Sequence, residues 1–275
     1  MIRDPGHRAR LEATGCAEIG AVGPDVLAAA RAALSALLPA AREDLHFSSA
    51  SPDVGYRAAV SEAVGRIVAP AVGRMLADDA EFLFGVVIAQ RAGGGGMGFH
   101  HDLSFTDPED GRALVVWVAL SDVDDERGTL SYLPGSHRLV AGPRGTPSFP
   151  SPLRDLPADL LEDRFRSVDA PAGTVVVTDP RLAHRSTANR STADRLTAVL
   201  VFLPREAELV HHHLRADGMV ERFAADPRFY TRFDLHERPT GLRSLGTFAP
   251  RFPAVDRATF EAAVPAAGSA GGAPR

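Results

Sequence analysis

Three residues of this chain, His100, Asp102 and His184, carry the side chains that could hold a metal ion. Two imidazoles and one carboxylate make the three-ligand face of non-haem Fe(II) oxygenases, which grips the metal on one side and leaves other positions open for chemistry. Side chains alternate along a β-strand, so in an extended segment His100 and Asp102 converge while His101 turns away. The same alternation puts Ser186 on the side of His184 and sends Arg185 outward. Arg195 follows at the head of the apolar run Leu196-Thr-Ala-Val-Leu-Val-Phe202. A charge entering a buried strand is costly unless paired, and a guanidinium fork suits a carboxylate bound through both oxygens. That partner is either a ligand's carboxylate or an acidic residue at the rim of the fold.

The rest of the chain has to supply the strands. The N-terminal part, residues 1–80, reads as helical: Asp25 to Arg42 is Ala/Leu-rich with apolar residues at helical spacing, and a second helix spans Tyr56 to Met75 with Pro70 as a kink or break. Strands are expected to begin near Glu81, with the apolar run Phe82-Leu-Phe-Gly-Val-Val-Ile-Ala89, and to follow at about 97–104, 112–121, 128–133, 172–178, 182–187 and 195–204. Many short strands between Gly, Pro and Asp turns predict a mainly β fold with flanking helices, built on a double-stranded β-helix, the jelly-roll or cupin-like core. A ligand belongs in the mouth of such a barrel.

The interval 140–167 interrupts the strands. It starts Gly/Pro/Ser-rich, carries a short helix within 155–165, and is expected to be a substrate lid or a surface excursion. A C-terminal extension, 205–265, holds an expected helix from Met219 to Phe229, and 266–275 is a frayed tail of small residues. One domain, 1–275, is expected, with its jelly-roll core at 81–204.

Segment by segment, the chain resembles the phytanoyl-CoA dioxygenase-like (PhyH) family of Fe(II)/2-oxoglutarate-dependent oxygenases. The blocks that carry the resemblance are Phe99-His-His-Asp-Leu-Ser-Phe105, Val116-Trp-Val-Ala-Leu-Ser-Asp-Val123, Gly128-Thr-Leu-Ser-Tyr-Leu-Pro-Gly-Ser-His137, Gly173-Thr-Val-Val-Val-Thr178 and His184-Arg-Ser-Thr-Ala-Asn-Arg-Ser191, closing at Arg195. The resemblance implies Fe(II) on His100, Asp102 and His184. It implies 2-oxoglutarate as cosubstrate, with its far carboxylate on Arg195 and Ser186 and with Trp117 at the cosubstrate pocket, O2 as co-reactant, and ascorbate as an in-vitro reductant. Where many relatives carry a Lys-Pro pair before the HxD motif, this chain has Gln90-Arg91 and four glycines, Gly93 to Gly96, which leaves Gln90 as a cosubstrate contact. Related halogenases have Ala or Gly at the Asp102 position; a carboxylate there closes the chloride position.

Composition bounds the partners. The 275 residues, 45% hydrophobic, are enough for one sizeable core, and a net charge of −5 with acids and bases interspersed gives no nucleic-acid surface and no reason to expect a membrane one. Cys16 is the only cysteine, which excludes an intrachain disulfide and a Cys-based zinc site. The start, Met1-Ile-Arg-Asp-Pro-Gly-His7, lacks an apolar signal core, and a cytoplasmic location is expected. Trp117 serves plain core packing as readily as a cosubstrate, and His137 belongs to a turn at Pro134-Gly135. The triplet His211-His212-His213 is expected in a solvated connection, since consecutive residues cannot all face one point. Gly93 to Gly96 reads as a flexible run, and Phe99, Phe105 and 140–167 as neighbours of a small-molecule substrate.

The expected function is a 2-oxoglutarate-dependent oxygenase that hydroxylates, desaturates or cyclises a small molecule. The arginine-only basic set within an Ala/Gly/Pro-rich chain suggests bacterial secondary metabolism. Two alternatives use the same barrel without 2-oxoglutarate: a metal-dependent isomerase or hydrolase, and a non-catalytic cupin-like binding module.

Overall fold

The computed structural model describes residues 1–107, 113–145, 149–233 and 237–266. Residue 112 of the expected strand 112–121, residues 146–148 of the expected lid and residues 267–275 of the expected tail lie outside them. Helix α1 (Pro5–Thr14) starts where the Asp4 carboxylate accepts from the His7 N–H at 2.8 Å and ends at Gly15, whose φ of 80° suits glycine. Strand β1 (Cys16–Ala21) follows, then α2 (Pro24–Leu37). This helix stops short of the expected Arg42 because Leu38 is already extended in front of Pro39. After β2 (Leu45–Phe47), Asp53 caps α3 (Val54–Ile67), and α4 (Ala69–Gly73) carries Pro70 in its first turn, where the missing N–H costs nothing.

Strands therefore begin well before Glu81, and the expectation of a purely helical residues 1–80 is corrected. β1 pairs with residues 174–178 of the large sheet, and β2 with its strand at 80–90. Three-residue β2 carries no readable alternation, and β1 is a short stretch between two helices. Their strand character comes from the tertiary partner rather than from local preference.

The core strands are β3 (Ala80–Gln90), β4 (Met97–His100), β5 (Leu114–Ala119) and β6 (Leu130–Tyr132). After the short helix α5 (Ala158–Glu162) come β7 (Arg166–Ser167), β8 (Thr174–Thr178), β9 (His184–Ser186) and β10 (Arg195–Pro204). Every ladder is antiparallel. The large sheet runs β1-β8-β5-β10-β3-β2 and the small one β4-β9-β6-β7, together a double-stranded β-helix. On fully buried β5, Leu114, Val116 and Val118 pack into the core shared with α2 and α3, while Val115 and Trp117 face the barrel interior. α3 reaches β3 so closely that a Cβ on Gly85 would lie 2.4 Å from a Val64 methyl, and the Gly85 N–H donates to Ser61 Oγ at 3.1 Å.

The C-terminal part forms a second small sheet from β11 (Val210–Leu214), β12 (Val220–Ala224) and, after α6 (Phe229–Arg232), β13 (Ser244–Phe248); α7 (Arg257–Ala263) ends the described chain. The helix expected at Met219 to Phe229 is thus a strand followed by a four-residue helix. The missed signal is Asp217-Gly218, a hairpin turn with Gly218 at φ 82° that folds β12 back on β11. The His211–His213 triplet is corrected as well, since it forms most of β11. His211 and His212 are only 2% exposed and turn to opposite faces, towards Phe229 and Phe248. Among the described residues, no helix is long and apolar enough to cross a membrane.

Gly85→Ala is expected to destabilise the fold by about 1–3 kcal/mol through overpacking against Val64, read as a lower midpoint in urea unfolding. An unchanged midpoint would show that α3 and β3 are not locked at this contact.

Candidate metal centre

Strand β9 lies between β4 and β6, with His184 opposite His100 on one side and opposite Tyr132 on the other. That register sets the two imidazoles side by side, ring centroids 4.3 Å apart. β4 ends at His100, so Asp102 is not on a strand as the alternation argument assumed. It sits in an extended connection pinned by its N–H to the carbonyl of Pro180 at 2.9 Å. Its carboxylate still arrives beside both histidines, Oδ1 4.0 Å from His100 Nε2 and Oδ2 3.8 Å from His184 Nε2. The ligand atoms of all three residues lie within 4.8 Å of one another.

The donor set suits a divalent metal in its details. His100 Nδ1 faces the carbonyl of Gly98 at 3.3 Å and His184 Nδ1 that of Leu182 at 3.0 Å, which protonates Nδ1 and leaves both Nε2 lone pairs directed at the cluster. Burial, with the neighbouring His184 second, lowers the pKa of His100 to about 4, so its neutral, ligating form is present at neutral pH. Asp102 Oδ2 is buried with no hydrogen-bond partner, as a carboxylate oxygen awaiting a cation would be. His101 faces away and holds the surroundings: its Nδ1–H donates to the Arg181 carbonyl at 2.9 Å and its Nε2 accepts from Ser151 Oγ at 3.3 Å.

The cluster opens on a cavity of about 730 Å³ inside the barrel. Its wall is mostly apolar, with Phe84, Val86 and Ile88 of β3, Trp117 of β5, and Val199 and Val201 of β10. Ser186 lines it beside His184. Phe99 and Phe105 do too, together with Phe149 to Pro152 of the expected lid. The second half of that segment is a docked element: Leu153 and Leu161 are buried with Phe260 and Val264 of the C-terminal extension.

Continuing inward along β10, past Val199, come Thr197 and Arg195, opposite Gln90 on β3. Arg195 is 1% exposed, and none of its three guanidinium nitrogens has a hydrogen-bond partner among the described residues; the same holds for Thr197 Oγ1 and Gln90 Oε1. Burial lowers the Arg195 pKa to about 10, which leaves it charged at neutral pH. An uncompensated buried cation is expensive, so Arg195 is a candidate to receive an anion. Gln90 differs from a simple cosubstrate contact. Its amide nitrogen donates to the carbonyls of Gly95 and Thr187 at 2.8 and 2.9 Å, tying the glycine run to the strand that carries His184 and Ser186. The glycine run is accordingly held rather than loose: Gly94 accepts from Asn189 N–H at 2.9 Å, and a Cβ on Gly96 would lie 2.3 Å from the Ser186 carbonyl oxygen.

Two residues of this region were not singled out from the sequence. Thr197 could have been, as it shares the inward face of β10 with Arg195 by simple alternation. Arg144 could not, because nothing in the Gly/Pro-rich interval around it marks it. Its Nε donates to the backbone carbonyl of Asp102 at 2.8 Å, its guanidinium lines the cavity, and burial lowers its pKa to about 10.

Asp102→Ala and His184→Ala are each expected to weaken Ni(II) binding by more than about 100-fold, more than changing a residue that only hydrogen-bonds to a ligand would do. Quenching of Trp117 reports it, since this sole tryptophan lines the same cavity. Wild-type affinity in both variants would dismiss the cluster as a metal centre.

Comparison with known proteins follows the geometry. The family model for phytanoyl-CoA dioxygenase (PhyH) matches residues 20–197. A zebrafish (Danio rerio) phytanoyl-CoA dioxygenase domain-containing protein 1 is 36% identical over 107 residues, 35% of this chain and 35% of that protein. The match thus spans about a third of the curated relative's length. Among solved structures, the non-heme alpha ketoglutarate dependent carbocyclase SnoK from nogalamycin biosynthesis superposes with a TM-score of 0.57 at 21% identity, covering 75% of this chain and 86% of SnoK. The epimerase SnoN in complex with Fe3+, alpha ketoglutarate and nogalamycin RO gives 0.53 at 21% identity, covering 75% of this chain and 87% of SnoN. These two likenesses establish the fold. With the family model matched over more than half its length, the chain belongs to the phytanoyl-CoA dioxygenase (PhyH) family.

Proposed function

We propose that the protein is an Fe(II)- and 2-oxoglutarate-dependent oxygenase of a small organic molecule, with hydroxylation as its default outcome and desaturation or cyclisation as variants. The single observation that carries this function is a His-Asp-His cluster opening on a largely apolar cavity, with an arginine buried and, among the described residues, unpaired on a strand that also lines that cavity. His100, Asp102 and His184 would hold the iron. When bound together, iron and 2-oxoglutarate use O2 to convert the cosubstrate to succinate and CO2 and supply the oxidant for a C–H bond.

The chain's own residues then have distinct tasks. Arg195 would neutralise the distal carboxylate of the cosubstrate, and the unpartnered Thr197 Oγ1 and Ser186 on β9 would donate to it. The apolar walls exclude water, which strengthens that ion pair and guards a reactive centre from side reactions. The roof is tied down on both sides: His101 bonds Ser151, Arg154 Nη2 donates to the Phe252 carbonyl at 2.9 Å, and Val255 N–H donates to the Pro152 carbonyl at 2.9 Å. Opening it admits substrate, so residues 149–152 act as the movable part of the interval 140–167. SnoK and SnoN are named for nogalamycin biosynthesis, and a tailoring step in bacterial secondary metabolism, in the cytoplasm that supplies 2-oxoglutarate, suits this cavity.

With Fe(II) and ascorbate, wild-type protein is expected to turn 2-oxoglutarate into succinate. Arg195→Ala should raise the 2-oxoglutarate requirement roughly 30-fold or more, as loss of a buried charge partner worth about 2–5 kcal/mol implies. Equal turnover in the two proteins at low 2-oxoglutarate would remove the cosubstrate from this proposal. Absence of succinate with every substrate tried would leave the isomerase or hydrolase and the binding module.

A further inference from the structure

The charges in the cavity wall are few, and they are unequally balanced. Its only carboxylate among the described residues is Asp102, and three of its ionisable groups, His100, Asp102 and His184, belong to the metal cluster. His101 has both ring nitrogens engaged, one on the Arg181 carbonyl and one on Ser151. Arg144 is what remains, the one permanent charge that the described residues of the wall present to a substrate.

Arg144 is held in place. Its backbone exchanges hydrogen bonds with Ser104: Arg144 N–H to Ser104 Oγ at 2.8 Å and Ser104 N–H to the Arg144 carbonyl at 2.9 Å. Its Nε is fixed on the Asp102 carbonyl, which sets the guanidinium next to the metal cluster. Among the described residues no carboxylate lies within ion-pair distance of it. The acids nearest in effect are committed elsewhere: Asp179 is gripped by the Arg181 fork at 2.9 and 2.7 Å, and Asp102 belongs to the metal. Behind Arg144 lies a side chamber of about 320 Å³ that it shares with the main cavity. The chamber's other charges are Arg138, bonded to the carbonyls of Ala13 and Ala263, and the neutral Arg181–Asp179 pair. Among the described residues that side of the cavity is therefore net positive, while the remaining walls are aliphatic and aromatic. A fixed, half-buried guanidinium with no ion-pair partner among the described residues is stabilised by an oxyanion and repels an ammonium group.

We infer that the substrate is a largely apolar molecule carrying one oxyanion, a carboxylate or an acidic enol or phenol, which the Arg144 guanidinium holds beside the metal-binding cluster. The inference rests on the oxygenase function proposed above and adds its substrate class. A cavity of about 730 Å³ is in the range that encloses a drug-sized ligand, so the apolar body would be of that scale. Arg144 is a substrate-orienting residue in this arrangement: it fixes one end of the molecule near the metal, and the apolar walls position the C–H bond.

Three probes with one body and different charge test it: anthracene-9-carboxylate, anthracene-9-carboxamide and 9-(aminomethyl)anthracene. Each is titrated into full-length protein loaded with Ni(II) and saturating 2-oxoglutarate, which keeps Arg195 engaged, with Trp117 quenching and probe fluorescence as readouts. The carboxylate is expected to bind at least about 10-fold tighter than the carboxamide, the scale of one charged hydrogen-bonded contact, and the amine weakest. Arg144→Met keeps much of the side chain's volume and should bring carboxylate and carboxamide within about twofold by weakening the carboxylate alone. No carboxylate preference in the wild type, or the same preference in Arg144→Met, would overturn the inference. If Arg144→Met gives no cooperative thermal transition, Arg144→Gln replaces it and must lose the same preference. Wild-type protein that fails to bind Ni(II) and 2-oxoglutarate defeats the oxygenase function itself. Protein that binds both but ranks the probes equally defeats only the substrate class.

Discussion

The register of β9 against β4 is the contact on which the site depends. Three residues of β9, held between β4 and β6, place His184 directly across from His100, and the rest of the centre is arranged around that pair. A slip of one residue would put Arg185 in its place and turn His184 to the outer face, because side chains alternate strictly along a strand. Several independent contacts oppose the slip. Gln90 ties the Thr187 carbonyl to the large sheet, Thr129 N–H donates to Thr187 Oγ1 at 2.8 Å, and the outward-facing Arg185 stacks on Phe165 at 3.9 Å and pairs with Glu162 at 2.5 Å. The interval 140–167 thus does two jobs: part of it roofs the cavity, and part of it clamps the back of the strand that bears the metal ligand.

The barrel interior separates charge by depth. On β10 sits Arg195, without a hydrogen-bond partner among the described residues, opposite Gln90 and two residues from Thr197, which also hold unpartnered polar atoms. The metal cluster lies nearer the apolar cavity, with Arg144 at its edge. Between the cations the walls are apolar, so the electrostatic attractions of each subsite act through a medium far less screening than water.

Packing of the outer layers follows from the same sheet. The large sheet is buried on both faces, by α2 and α3 outside and by the cavity lining inside. A strand such as β5 is therefore a continuous apolar run and not an alternating one, which makes it legible as a strand but not as to which side faces the site. Only the packing of Val64 against Gly85 and of Leu34 into the helix-side core decides that Trp117 looks inward.

What could be read from residue order alone was local chemistry and local period. Two histidines and a carboxylate at strand spacing, an arginine entering an apolar run, and many short strands between turns were enough for the candidate metal cluster, the β-barrel class and the buried charge of Arg195. Long-range pairing decided the rest. β1 and β2 are strands because the edges of the large sheet complete them, β12 is a strand because Asp217-Gly218 returns it to β11, and His211 and His212 are buried because that hairpin packs under Phe229 and Phe248. Arg144, forty-two residues from Asp102 in sequence, reaches the site only through a backbone contact that no periodicity announces. The energy of placing a charge in a pocket depends on which neighbours enclose it and which acids are already committed, and those are properties of the folded arrangement, not of the order of residues.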